Sequence, residues 1–204
     1  MEQHISSNMG LDIFNILHLG PALLALKQGK VIAYPTESMY GFGCDPFNIN
    51  AVTKLLRIKQ RHIKKGFILI GANFQQLESL VQPIDYNALN QVFSTWPGPF
   101  TWVFPASSEV PEWIRGANHG VAVRVTNHPI AKSLCEQFRQ PIISTSANQE
   151  GFPPARDEHT LRMTLKKVSD SNSTIDYIVS GKIGDATKAS EIRDAVTGKV
   201  LRKG

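Results

Sequence analysis

Short continuous apolar runs alternate along this chain with segments whose apolar residues recur every three or four positions, the signatures of buried strand and amphipathic helix. The runs at residues 31–34, 67–70, 101–104, 121–125 and 142–143 predict strands. Ahead of the first, Gly20-Pro21 opens a helix with proline in its first turn; Leu23, Leu24 and Leu26 follow, and Gly29 supplies the stop. Asn50 is placed to cap a second helix that carries Val52, Leu55, Leu56 and Lys59 near one face. Asp85 starts a third through Ala88, Leu89, Val92, Phe93 and Trp96, which Pro97-Gly98-Pro99 ends. His128-Pro129 opens a fourth with Ile130, Leu134 and Phe138, and a turn at Thr197-Gly198 folds residues 190–200 into a hairpin. Strands alternating with helices predict an open α/β sheet, and the close spacing of the later strands makes it mixed. Residues 1–10 are polar and expected to fray, and no linker divides residues 11–204, which read as one domain.

Charge sharpens this picture. Six of the twelve residues at 54–65 are basic (Lys54, Arg57, Lys59, Arg61, Lys64, Lys65) and none is acidic. Taking those six from the formal net charge of +5 leaves the other 192 of 204 residues at −1. One cationic locus on a nearly neutral body points to a polyanion held at one place, either a nucleotide's phosphates or a nucleic-acid backbone. Hydrophobic residues make up 42%, enough for a core, yet no run approaches the roughly 18 apolar residues of a membrane span. With no leader-like start either, a cytoplasmic protein is expected. Cys44 and Cys135 are far apart and outside any CxxC, which predicts buried free thiols rather than a disulfide or a thiolate metal site. The six histidines are scattered, so no protein-held metal is expected, and the GxxxxGK[ST] phosphate loop is missing.

Four polar segments follow strands or helices, where open α/β sheets collect ligands. They are Pro35-Thr36-Glu37-Ser38, Lys59-Gln60-Arg61, Arg124 within residues 121–125, and Ser144 to Asn148. Each has a plain reading beside a functional one. Thr36 and Glu37 suit a turn or helix start, and basic residues on a helix are commonly a solvated face, although such faces usually mix signs. Arg124, among valines and an alanine, is costly to bury alone and must meet either a structural carboxylate or a ligand anion. The hydroxyls and amide of STSAN suit either a helix cap or a grip on phosphate oxygens.

In combination the segments are specific. PTE followed by YGFG, then KQR, AVRV, STSAN with Gly151 and two prolines after it, and SEIRD leading to TGKVLRKG occur in the order and spacing of the YrdC/TsaC family. The chain resembles those threonylcarbamoyl-AMP synthases over residues 31–204. The resemblance implies a single-domain, twisted mixed α/β sheet with flanking helices around a concave basic cleft. It also implies formation of threonylcarbamoyl-AMP and pyrophosphate from L-threonine, bicarbonate or CO₂, and ATP, for delivery by downstream proteins to the adenosine beside the anticodon of certain tRNAs. Lys59 and Arg61 match the family's KxR pair and are expected to bind ATP and act in catalysis. Ser146, Asn148 and Arg202 are expected on ATP; Thr36, Tyr40, Arg124, Ser144 and Ser190 are expected on threonine. Mg²⁺ would arrive with ATP, held by phosphates and water. The longer relatives carry a further carboxyl-terminal domain, and the chain looks like the short bacterial form. Two prolines common in the family are replaced, by His62 after KxR and by Ala189 before SEIRD, which puts loop geometry in question more than ligands.

Another class of protein would use the same locus without catalysis, as a module binding structured RNA through phosphate contacts. It accounts for residues 54–65 but not for STSAN or Arg124, and no aromatic residue is interleaved there for stacking. A sugar-phosphate enzyme on a related sheet would require an acidic metal cluster, for which the sequence has no candidate.

Overall fold

The computed structural model describes residues 19–166 and 174–204; the segment expected to fray, residues 1–10, lies outside them. In chain order the elements are α1 (Gly20–Lys27), β1 (Ile32–Pro35), β2 (Tyr40–Gly43), α2 (Ile49–Lys59), β3 (Ile68–Gly71), α3 (Tyr86–Phe93), β4 (Phe100–Pro105), the short α4 (Glu112–Arg115), β5 (Gly120–Val125), α5 (Pro129–Phe138), β6 (Ile142–Ser146), α6 (Glu158–Lys166), β7 (Tyr177–Ile178), β8 (Glu191–Asp194) and β9 (Val200–Arg202). All described strands join one sheet in the order β7-β1-β2-β6-β3-β5-β4-β8-β9. β7 runs parallel to β1, β3 to β5 and β4 to β8, while the remaining neighbours are antiparallel. The sheet is mixed, as the spacing of the strands predicts.

Both faces of its centre are covered, which is why the strands read as continuous apolar runs rather than alternating ones. At β1, Ala33 and the preceding Val31 join the core with Leu55, Leu69, Val123 and Ile143, while Ile32 and Tyr34 join a second core with Leu26, Ile70, Ile130, Leu134 and Ile142. Helices α1 and α5 close that second face.

Sequence and structure part at several places. The cap of α2 is Asn48, not Asn50: Asn48 Oδ1 accepts from the backbone N–H of Asn50 at 3.1 Å and of Ala51 at 3.2 Å. Its extended backbone leaves the side chain free to turn back on the first helical amides. The helix then ends at Gln60 in the left-handed region, with Arg57 and Lys59 in the last turn, where the carbonyl end of the helix favours positive charge. α3 stops at Phe93, short of Trp96. Strand β2, helices α4 and α6, and the two-residue β7 had no counterpart in the sequence pattern.

Residues 179–190 join β7 at one edge of the sheet to β8 beside the other edge, so this strap crosses the molecule. It is fastened on the way. Gly181 O accepts from the Tyr40 hydroxyl at 2.6 Å, His128 Nε2 lies 2.9 Å from Lys182 O, and the amides of Gly184 and Ala186 donate to the carbonyls of Thr36 and Glu37.

Candidate active site

Strand ends and their loops converge on one cavity, to which the end of this strap contributes Ala189 and Ser190. The β1–β2 turn closes when Thr36 N and Thr36 Oγ1 both donate to Met39 O, at 3.0 and 2.7 Å. Thr36 and Glu37 therefore make a turn, the plainer of their two readings, and the turn sets Thr36 against a cavity of about 150 Å³. Tyr40 at the start of β2, Ser144 and Ser146 on β6, and Arg124 on β5 border the same space. From the far side of the sheet come Ser190 and Arg202, and from the end of α2 comes Arg61. Eight of the ten residues expected to touch substrate thus surround one cavity.

Three guanidiniums border it. Burial holds the pKa of Arg202 below its ordinary value, and the charges of Arg124 and Arg61 push the same way, so the three repel one another across the space. Arg61 is also lowered by burial, with Glu150 opposing. Arg61 Nη2 donates to Gly66 O at 3.0 Å and the group lies 5.6 Å from the centre of the Phe67 ring, while its buried Nε has no hydrogen-bond partner. Arg202 Nη2 donates to Ser190 O at 2.9 Å, and Ser190 Oγ lies 2.9 Å from Thr101 Oγ1. The Tyr40 hydroxyl is committed to Gly181 O.

Lys59 and Asn148 stand outside the cavity wall. Lys59 is 3% exposed, and its Nζ donates to Ser146 O at 2.5 Å, Asn148 O at 2.8 Å and Asn148 Oδ1 at 3.2 Å. Asn148 Oδ1 also accepts from Ser146 Oγ at 2.6 Å. An ammonium has three N–H donors and here meets three acceptors, so Lys59 ties the STSAN loop to the end of α2. Burial, and then the Arg61 charge, bring its pKa down to about 7, with Glu150 opposing.

Sequence reasoning assigned no pairing role to two acidic residues, Glu37 and Glu150. Arg124 Nη2 lies 3.4 Å from Glu37 Oε2, a buried ion pair, so its choice between carboxylate and ligand resolves as a carboxylate on one side and the cavity on the other. Lys65 pairs with Glu150, which neutralises part of the cationic run. The rule that a buried arginine needs a counter-charge demanded a partner but could not choose Glu37 among the acids. A second cavity of about 240 Å³ shares Arg61, Phe67, Ile68 and Arg202 with the first and adds the apolar side chains of Val103, Ile114, Ile192 and Leu201. Among the described residues no group of three or more His, Cys, Asp and Glu side chains is placed to hold a metal ion, and no helix is long and apolar enough to cross a membrane.

Known proteins resemble this chain in sequence and fold. The family model for Sua5/YciO/YrdC, described as "Telomere recombination", matches residues 24–204. The threonylcarbamoyl-AMP synthase of Coxiella burnetii is 54% identical over 184 residues, covering 90% of this chain and 96% of that protein. That of Cellvibrio japonicus is 46% identical over 87% of this chain and 90% of its own length. Among solved structures, P. abyssi Sua5 complexed with L-threonine superposes with a TM-score of 0.77 at 34% identity, covering 85% of this chain. The chain spans about half of that longer protein, 49% of its length. E. coli YciO gives a TM-score of 0.79 at 26% identity, covering 93% of this chain and 90% of its own. With its motifs in order, its fold superposing and its relatives matched nearly end to end, the chain belongs to the Sua5/YciO/YrdC family.

Proposed function

We infer that the protein is a threonylcarbamoyl-AMP synthase, joining L-threonine, bicarbonate or CO₂, and ATP into threonylcarbamoyl-AMP with release of pyrophosphate. The observation that carries this reading is the cavity in which Arg61, Arg124 and Arg202 face one another among the hydroxyls of Thr36, Ser144, Ser146 and Ser190. Three mutually repelling cations around one space suit a meeting of anions. The threonine amine attacks the carbon of CO₂ and yields a carbamate; a carbamate oxygen then attacks the α-phosphorus of ATP as the bond to the bridging oxygen breaks and pyrophosphate leaves. Both partners are negative, so fixed positive charge and alignment do the catalytic work, and no protein nucleophile is needed.

Arg124 binds the threonine carboxylate, for which its planar fork is matched, with Thr36, Ser144 and Ser190 around the rest of the amino acid. Arg61 and Arg202 meet the phosphates at the junction of the two cavities. The apolar walls of the second cavity suit the adenine ring, which threads the nucleotide from Leu201 toward Ser146. Lys59 and Asn148 act from behind, fixing the loop that presents Ser146. The substrate is MgATP, its metal carried by phosphates and water. The product is a reactive mixed anhydride that downstream proteins transfer to tRNA, and the work is done in the cytoplasm.

Purified protein given ATP, bicarbonate and L-threonine is expected to release pyrophosphate only when threonine is present. Arg61→Ala should lower that rate by about 100-fold through loss of a transition-state contact, and Lys59→Ala comparably through collapse of the STSAN loop. Pyrophosphate release indifferent to threonine would overturn the assignment. RNA affinity falling steeply with salt, with no adenylate formed, would favour the RNA-binding module instead.

A further inference from the structure

Arg124 leaves β5 with its guanidinium toward the cavity and needs something to hold it there. Glu37 Oε2 lies 3.4 Å from Arg124 Nη2, and both side chains are about nine-tenths buried, at 9% and 11% exposed. The carboxylate is itself clamped from the other side. Glu37 Oε1 accepts from Thr126 Oγ1 at 2.7 Å and from the Asn127 amide at 3.1 Å. Thr126 and Asn127 are the next residues after Arg124 and Val125, so Glu37 is fastened to the strand end that carries the arginine it faces. Its own carbonyl accepts from Ala186 of the strap. The turn that sets Thr36 against the cavity therefore also carries the counter-charge of Arg124.

We propose that Glu37 is a positioning residue for amino-acid recognition, its clamped carboxylate aiming Arg124 at the carboxylate of L-threonine. The contact is single and long, so it orients the guanidinium without consuming it: an arginine has five N–H donors in a planar fork, and the edge turned away from Glu37 is left for the ligand. Glu37 is charged in this role. Burial alone would raise its pKa, but Arg124, and after it the Thr126 hydroxyl and the backbone amides, hold it below the ordinary carboxylate value. This inference rests on the synthase reading. It competes with a simpler role in which Glu37 only dilutes the positive charge of Arg61, Arg124 and Arg202. The two roles differ in sign, because removing a diluting anion strengthens anion binding and removing an aiming group weakens it.

Steady-state kinetics of the whole chain separate them. Glu37→Gln keeps the size of the side chain and an acceptor for Thr126 and Asn127 but loses the charge facing Arg124. Its threonine KM should rise about tenfold, with kcat within about twofold and the KM for ATP unchanged, the pattern of a lost ground-state contact. Calorimetric affinity for L-threonine should fall by the same factor. A threonine KM unchanged or lowered, or equal rises in both KM values, overturns the proposal. If thermal melting shows that Glu37→Gln does not fold, Thr126→Val decides, since it loosens the clamp and leaves the charge. A threonine KM about threefold higher supports the proposal, and an unchanged one overturns it. Failure of the unsubstituted protein to release pyrophosphate in response to threonine would instead bring down the synthase reading.

Discussion

Lys59 shows how a residue's type can be legible while the side of the loop it serves is not. Its place in KQR marked it as a phosphate ligand, yet the side chain runs beneath the cavity wall to three oxygens of the STSAN loop. Nothing in a one-dimensional spacing of residues reports on which side of a loop an ammonium emerges. Arg61, two residues on, does reach the cavity because the left-handed Gln60 turns the chain out of the helix between them. The depressed pKa of Lys59 gives a test. Burial and the Arg61 charge bring this lysine from its ordinary 10.5 to about 7, so its charge responds to pH near neutrality. Phosphates held by Arg61 offset that neighbouring charge and favour the ammonium, so ATP binding at pH 8 should take up a fraction of a proton. Calorimetric titrations in buffers of different ionisation enthalpy read this directly, and Lys59→Met should abolish it. A binding enthalpy independent of buffer would contradict the account.

At the scale of elements, the strands that pack on both faces were legible and those shaped by close approach were not. The β2 segment YGFG contains two glycines, which weaken any strand signal, yet it pairs with both β1 and β6. Gly43 shows why the glycines are there: a Cβ on it would lie 2.4 Å from Ile143 O and 2.8 Å from Tyr34 Cε1. Backbone and ring must pass at that distance for β2 to fit between its neighbours. Gly43→Ala should therefore cost about 3 kcal/mol, the upper range for overpacking a core, measured by urea denaturation. A loss within about 0.5 kcal/mol, as for an ordinary surface change, would show that β2 has room to move. The two-residue β7 and the polar helix α6 escaped notice for other reasons. One is too short to show a period, and the other buries only Leu161 fully among its residues.

Across the whole molecule, the order of motifs was legible and their meeting was not, because the meeting depends on sheet topology. Thr36 and Arg202 are 166 residues apart in the chain, yet they border one cavity. Glu37 and Arg124 pair across 87 residues for the same reason. Ser190 immediately precedes β8 and Arg202 ends β9, the outermost pair of strands, which the strap joins to the opposite edge. β9 is largely exposed and bonded on one side only, so this pair should open more readily than the central β3 and β5. With ATP or threonine at about 100 times its Kd, amide exchange in residues 191–202 should slow about 100-fold by mass action, while exchange in β3 changes less. Exchange at 191–202 indifferent to both substrates would place the cavity elsewhere.

The strap makes the two margins of the sheet mechanically dependent. Whatever fills the cavity at the end of residues 179–190 touches Thr36 near one margin and Arg202 at the other, and so fastens them like a clasp. Occupancy is thereby expected to set the rigidity of the protein: an empty molecule should keep its core but have a loose hem, and a loaded one should be stitched from rim to rim.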